Sequence, residues 1–208
     1  MPELLRFPEF AAHQSALKDT SKDKHEPNNS TYMTESNKTA VNFDAVKDDY
    51  VKKMRLSEML ASCDALFEDG EGAIIFTEFK NGALKKNKQP DLRKKIYDSV
   101  LIFMDITLMN LREMRQKAKY ILVYNETANK ENKDDAELIK KQTNEVQPSG
   151  EFDLIAKTFS KWGKKEYVCF GLKKFQNYCF KEVHTYTEKE FKSYMELLES
   201  IPIPSESI

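Results

Sequence analysis

Asp64, Glu78 and Lys80 are two acids and an ammonium at spacings that can bring them onto one face of a β-hairpin. They lie in the stretch from Ser62 to Lys80, SCDALFEDGEGAIIFTEFK. Its second half, from Ala73, is short, β-branched and aromatic, and is bounded by the turn signals Asp69-Gly70-Glu71-Gly72 and Asn81-Gly82. That composition predicts a strand. Side chains alternate between faces along a strand, so Glu78 and Lys80 share a face while Thr77 and Phe79 take the other. A two-residue turn at Asp69-Gly70 would pair Asp64 with Ile75 and send it to the wrong face. A three-residue loop from Asp69 to Glu71 pairs it instead with Phe76, diagonal to Glu78. The odd-length loop is therefore expected, and it gathers two carboxylates and an ammonium around one divalent cation. Mg²⁺ prefers oxygen ligands, keeps several waters, and needs only one or two carboxylates beside a substrate phosphate. A cation held this way orients or acidifies a water and neutralises phosphoryl charge. Lys80 would position that water and balance the carboxylates.

An acid-x-lysine pattern is cheap in a chain with 32% charged residues, and it occurs at Glu78-Phe-Lys80, Glu131-Asn-Lys133 and Glu190-Phe-Lys192. Glu131 lies in a polar run without apolar periodicity. Glu190 follows Thr187 by three residues, the spacing of a helix capping box. Only Glu78 sits in an apolar strand with an upstream Asp before a turn. The competing explanation for it is an ordinary solvated strand end.

On these residues, with a long apolar helix and another strand following the hairpin, the chain resembles the restriction-endonuclease-like (PD-(D/E)XK) superfamily over about Phe43 to Asn125. The resemblance implies a core in which a helix precedes a short mixed sheet and a second helix packs on it. It implies Mg²⁺- or Mn²⁺-dependent hydrolysis of DNA, with Asp64 and Glu78 holding the metal and Lys80 assisting the water. Glu58, six residues before Asp64, would add a carboxylate as a leading-helix Glu does in some members. Some members have lost activity and only bind, so a binding or interaction module is the rival expectation, with an accidental likeness in a regulatory protein as a third. Cys63 stands where the eponymous proline would be, a position often substituted in the superfamily. Small nucleases of this type often dimerise, which makes a homodimer possible here.

The elements that must position these residues are legible in outline. Leu4, Leu5, Phe7 and Phe10 suggest a short amino-terminal helix, followed to Asn42 by a polar extended arm pinned by Tyr32, Met33 and Val41. Phe43 to Leu60 has helical apolar spacing. Between Lys80 and Lys95 lie seven basic residues and one acid. Lys85, Lys86, Lys88, Arg93, Lys94 and Lys95 are therefore the expected phosphate contacts. Pro90-Asp91 marks a helix start, and cations in a first helical turn conflict with the macrodipole, a conflict that a bound anion repairs. The alternative is a solvated lysine-rich loop. From Asp91 to about Lys117 a nearly apolar helix should form the core, with Asp98 and Asp105 as satisfied helix carboxylates, and Lys119 to Asn125 should be a central strand.

Residues 126–150 read as a polar insertion, Phe152 to Trp162 as a helix, Tyr178 to Tyr186 as a strand, and Thr187 as the cap of a last helix. Lys157, Lys161, Lys164, Lys165, Lys173 and Lys174 could extend a nucleic-acid track, with Trp162, Tyr167 or Phe175 as stacking faces. The expected organisation is an N-terminal helix and arm (1–42), one α/β domain (43–200: core 43–125, insertion 126–150, C-terminal helix-strand-helix addition 151–200) and a fraying tail (201–208).

With 208 residues the chain suits one domain, and a net charge of −1 excludes a bulk polycation, so any nucleic-acid surface must be local. Cys63, Cys169 and Cys179 lack zinc-site spacing and read as reduced thiols. No apolar run reaches the roughly 18 residues of a membrane span, and no secretory leader is apparent, so a cytoplasmic protein without membrane partners is expected. Six glycines and no phosphate-cradling loop argue against a nucleotide-dependent enzyme.

Overall fold

Alternation along the strands generates two apolar faces, and helices cover both. The computed structural model describes residues 2–23, 31–130 and 168–200. Six strands form one sheet in chain order: β1 (Gln14–Ala16), β2 (Thr39–Asn42), β3 (Ala65–Glu68), β4 (Ile74–Lys80), β5 (Ala118–Tyr124) and β6 (Glu182–Thr187). The first four are antiparallel neighbours, while β4, β5 and β6 run parallel. Among the described residues the α-helices are α1 (Pro8–Ala11), α2 (Leu17–Thr20), α3 (Phe43–Met54), α4 (Gln89–Thr107), α5 (Leu111–Lys117) and α6 (Glu188–Ser200). The protein is thus α/β, a mixed sheet flanked by helices.

On β4, Ile74 and Phe76 join the core built with α1, α3, α4 and α5, whereas Ile75 and Phe79 join the second core with α2 and α6. Phe76 is wholly buried, with ring centroids 6.2, 5.2 and 5.4 Å from Phe43, Phe103 and Phe180. It lies two residues before Glu78 on the same face and pins the strand beneath α3 and α4.

The structure corrects the sequence reading at several points. The arm expected from 13 to 42 contributes β1, α2 and β2, because Leu17, Met33 and Ala40 bury in the second core and Leu17 and Lys18 N–H groups bond Lys38 and Ser36 carbonyls. The helix expected to reach Leu60 stops at Met54, where Arg55 turns left-handed (φ 54°). The long helix to Lys117 breaks at Leu108 (φ 57°), and Asn110 and Glu113 form a capping box that starts α5. The last strand begins at Glu182 rather than Tyr178, since Asn177 (φ 60°) and bonds from Tyr178, Cys179 and Phe180 N–H to the Phe175 carbonyl coil the chain ahead of it.

Residues 126–130 are not insertion: Asn129 is buried, and its side chain accepts from Leu84 N–H (2.7 Å) and donates to the Gly82 and Asn125 carbonyls (3.3 and 2.9 Å). The short amino-terminal helix and the Thr187–Glu190 capping box are present. The remaining insertion, the Phe152–Trp162 helix, the basic residues from Lys157 to Lys165, Trp162, Tyr167 and the tail lie outside the described residues.

Replacing Phe76 by Ala should cost about 3–5 kcal/mol, the usual penalty for emptying an aromatic core position. Urea denaturation should show a lowered midpoint with an unchanged slope.

Candidate active site

The β3–β4 ladder pairs Ala65 with Thr77 and Glu68 with Ile74. It therefore runs two residues out of the expected register. The reason is Asp69, whose Oδ1 accepts from Glu71 and Ala73 N–H (2.9 and 2.8 Å) while its own N–H bonds Ala73 O, confining the turn to Gly70–Gly72 with Gly72 at φ 78°. An even shift preserves the faces. Asp64 consequently falls beside Glu78 rather than diagonal to it.

The ladder ends at Asp64 by changing partners. Its N–H donates to Thr77 O (3.0 Å), its carbonyl accepts from Phe43 N–H at the start of α3 (3.1 Å), and its Oδ2 takes Phe79 N–H (2.6 Å). The side chain thus replaces the backbone as partner of β4, which fixes the carboxylate. The segment before it is tied to both helices: Asp98 and Ser99 of α4 accept Ala61 and Cys63 N–H (2.8 Å each), and Ser62 Oγ donates to Asp44 Oδ1 of α3 (2.6 Å). Asp98 is a satisfied helix carboxylate, and so is Asp105, which accepts from Tyr50 OH (3.0 Å).

Glu78 is wholly buried, and its Oε1 lies 2.7 Å from each of two ammoniums, accepting a hydrogen bond from Lys95 Nζ and pairing with Lys80 Nζ. Lys95 Nζ also lies 3.6 Å from Asp64 Oδ1. Glu78 Oε2 has no partner, and neither does the buried hydroxyl of Tyr120 on the same sheet face. Burial and the adjacent Glu78 push the Asp64 carboxyl up to about 7, against the pull of Lys95. Burial opposes the charge on Lys95, but Glu78 and Asp64 outweigh it and hold the ammonium above the ordinary lysine range. Burial pushes the Cys63 thiol and the Tyr120 phenol well up, so neither ionises readily.

A cavity of about 480 Å³ opens over this cluster. It lies at the carboxyl end of β4, the kind of strand end where open α/β sheets commonly bind ligands. Asp64, Lys80 and Lys95 line its floor; Asp44, Lys88 and Asp91 come from the two helices and their approaches, and Ser21, Lys22 and Asp23 from the amino-terminal arm. Asp23 Oδ2 accepts from Asn81 Nδ2 (2.9 Å), and Asn81 Oδ1 accepts from Asn125 Nδ2 (2.8 Å), latching the arm to the strand tips.

Asp64, Glu78 and Lys80 therefore converge as the sequence suggested, but several companions lie elsewhere. Glu58 is on an exposed loop outside the cavity, because α3 has already ended. Lys95, expected on phosphate, sits on the two acids; α4 begins at Gln89, so Lys95 lies beyond the first turn, whose charged residue is Asp91, and the expected macrodipole conflict does not arise there. Lys88 lines the cavity; Lys85, Lys86 and Lys94 are exposed outside it. Arg93 turns away, its Nη2 within 3.4 Å of Gln89 Oε1 and beside Gly171. Phe175 is buried and offers no stacking face. The leading-helix acid that does reach the cavity is Asp44, marked in the sequence only by its place just after the capping Asn42. The lining from Thr20 to Asp23 had no local signal.

The donor set fits a hard cation. Two carboxylates of adjacent strands lie together, one oxygen of Glu78 is unpartnered, and an ammonium bridges the pair where a metal would sit. Among the described residues no group of three or more His, Cys, Asp or Glu side chains could hold an ion, so water or phosphate oxygens would complete the shell, as Mg²⁺ prefers. Among the described residues, too, no helix is long and apolar enough to cross a membrane. No protein-family model, curated protein or solved structure matches this chain.

Folded Asp64 keeps its proton up to about pH 7, whereas in the unfolded chain it loses it near pH 4. The native state binds the extra proton in that window, so this group makes stability fall as pH rises from about 4 through about 7. Asp64→Asn keeps an oxygen for Phe79 N–H and removes the titration. In metal-free urea titrations its stability relative to wild type should rise by about 1–3 kcal/mol between pH 5 and pH 8. Parallel pH profiles of the two proteins would refute the assignment.

Proposed function

We propose that the protein is a Mg²⁺- or Mn²⁺-dependent phosphodiesterase acting on DNA, built on a restriction-endonuclease-like core. The observation that carries this reading is the convergence of Asp64, Glu78 and Lys80 beneath one cavity, with Asp64 and Lys80 in its lining and Glu78 buried directly behind them. The order of elements supports it: α3 precedes the β3–β4 hairpin, α4 packs on the sheet, and β5 follows in parallel beside β4.

Asp64 and Glu78 would hold the metal, which when bound supplies charge neutralisation at the phosphoryl group and an acidified water. Lys80, a third exposed and 2.7 Å from Glu78 Oε1, orients that water and balances the buried carboxylate. Lys88 and Lys22, at the cavity wall, bind the phosphates on either side of the scissile one. The exposed Lys85, Lys86 and Lys94 add a salt-dependent, sequence-independent attraction for the backbone.

A second reading rests on the charge balance of the cluster. Two lysines already balance the charge of Glu78 through Oε1, which suits a binding module on the same fold in which the acids are structural. The two readings separate in a cleavage assay on mixed single- and double-stranded DNA with Mg²⁺ or Mn²⁺. The nuclease reading expects cutting by the wild type and a loss of about 10²-fold or more in Asp64→Ala and Glu78→Gln, the scale of removing a principal electrostatic group. Lys88→Ala should mainly weaken binding and flatten its salt dependence. No cutting of any DNA substrate with either metal, with binding retained, would hand the case to the module.

A further inference from the structure

Lys95 is the one described side chain whose ammonium spans both acids: 2.7 Å from Glu78 Oε1 and 3.6 Å from Asp64 Oδ1. We propose that Lys95 is an internal stand-in for the divalent cation, holding the carboxylate pair in the metal-free protein and yielding that place to the ion. Released, it turns into the cavity to meet the substrate phosphate. This deepens the metal-dependent reading and rests on it.

The carboxylates do not need Lys95 to stay in place. Asp64 is anchored through Oδ2 by Phe79 N–H, and Glu78 keeps Lys80 on Oε1 and has Oε2 in reserve. Lys80 cannot take the same part, since it makes no ion pair with Asp64. Lys95 can move, because its side chain is a quarter exposed and lines the open cavity on a flexible four-carbon stem.

Charge arithmetic gives the direction. With both acids ionised, two carboxylates and two ammoniums are neutral, so adding a divalent ion leaves an excess of two positive charges in a largely buried cluster. Moving one ammonium out to a phosphodiester anion removes half of that excess from the floor and places it on the substrate. The ligand class that completes the transfer is a phosphate ester.

Calorimetric titration with MnCl₂ at about pH 8, without DNA, tests this on wild type and Lys95→Met. Removing the competing cation should tighten Mn²⁺ binding roughly tenfold or more, the scale on which one neighbouring charge changes a carboxylate's affinity for a proton. Equal or weaker binding by Lys95→Met would show that Lys95 organises the pair for the metal, which overturns the proposal and leaves the metal reading intact. Absence of binding in both proteins would remove the metal reading itself, and the proposal with it.

A measurement on the wild type guards against loss of fold in the variant. With ε-¹⁵N-lysine labelling, the ammonium resonance missing from Lys95→Arg identifies Lys95, and saturating Mg²⁺ should shift it and speed its exchange with water. A resonance unmoved by Mg²⁺ that calorimetry shows to be bound would overturn the proposal.

Discussion

A carboxylate with no exposed surface governs this structure. Taking Glu78 out of water costs several kcal/mol unless charges and hydrogen bonds replace its hydration. Lys80 alone, a third exposed at the strand end, would leave much of that cost standing. The remainder comes from Lys95, whose contact with both acids ties the second turn of α4 to the end of β4. Lys95 in turn gives up much of its hydration, and the two acids beneath it offset that cost. Each element is tolerable only because the others are there.

The sheet topology makes that arrangement available. An antiparallel β3 brings its amino end to the carboxyl end of β4, so an acid entering one strand meets an acid leaving the other. The parallel β5 then frees those carboxyl ends from a tight connection and leaves room for a cavity. Asp64 does double duty, ending the ladder with its side chain while its carbonyl starts α3. A residue committed to three backbone partners cannot easily change rotamer, and that rigidity suits a group meant to hold a ligand.

What the sequence made legible was local. The period-two pattern of Ile74 to Lys80, the apolar run of α4, the strand of Tyr120 to Tyr124 and the Thr187–Glu190 box depend on near neighbours, and they fold as their patterns indicate. The parity of the β3–β4 loop was readable for the same reason, although its register depended on Asp69 bonding inside the turn, a detail that composition does not carry. The rest was non-local. The arm's short strands have little pattern of their own and exist because β3 offers an edge. Lys95 looked like one more member of a basic run; nothing in that run says which lysine turns inward, since the choice depends on helix phase relative to β4. Asp44 displaced Glu58 as the acid from the leading helix because α3 ends early, at a left-handed Arg55 with no glycine to announce it.

The order in which these charges come together along the chain also shapes how the molecule opens. Asp64 and Phe79 are 15 residues apart and meet by hairpin closure, a fast local event, whereas Lys95, 17 residues beyond Glu78, arrives only when α4 docks. Until then the open end of the hairpin holds two acids side by side with Lys80 as the cation nearest them. Like charges at that spacing oppose pairing, so the last residues of the strand stay loose until the helix seats over them. Strand tip and helix start accordingly gain and lose their order together, as one cooperative unit, and the floor of the cavity does not fray piecemeal from its edge.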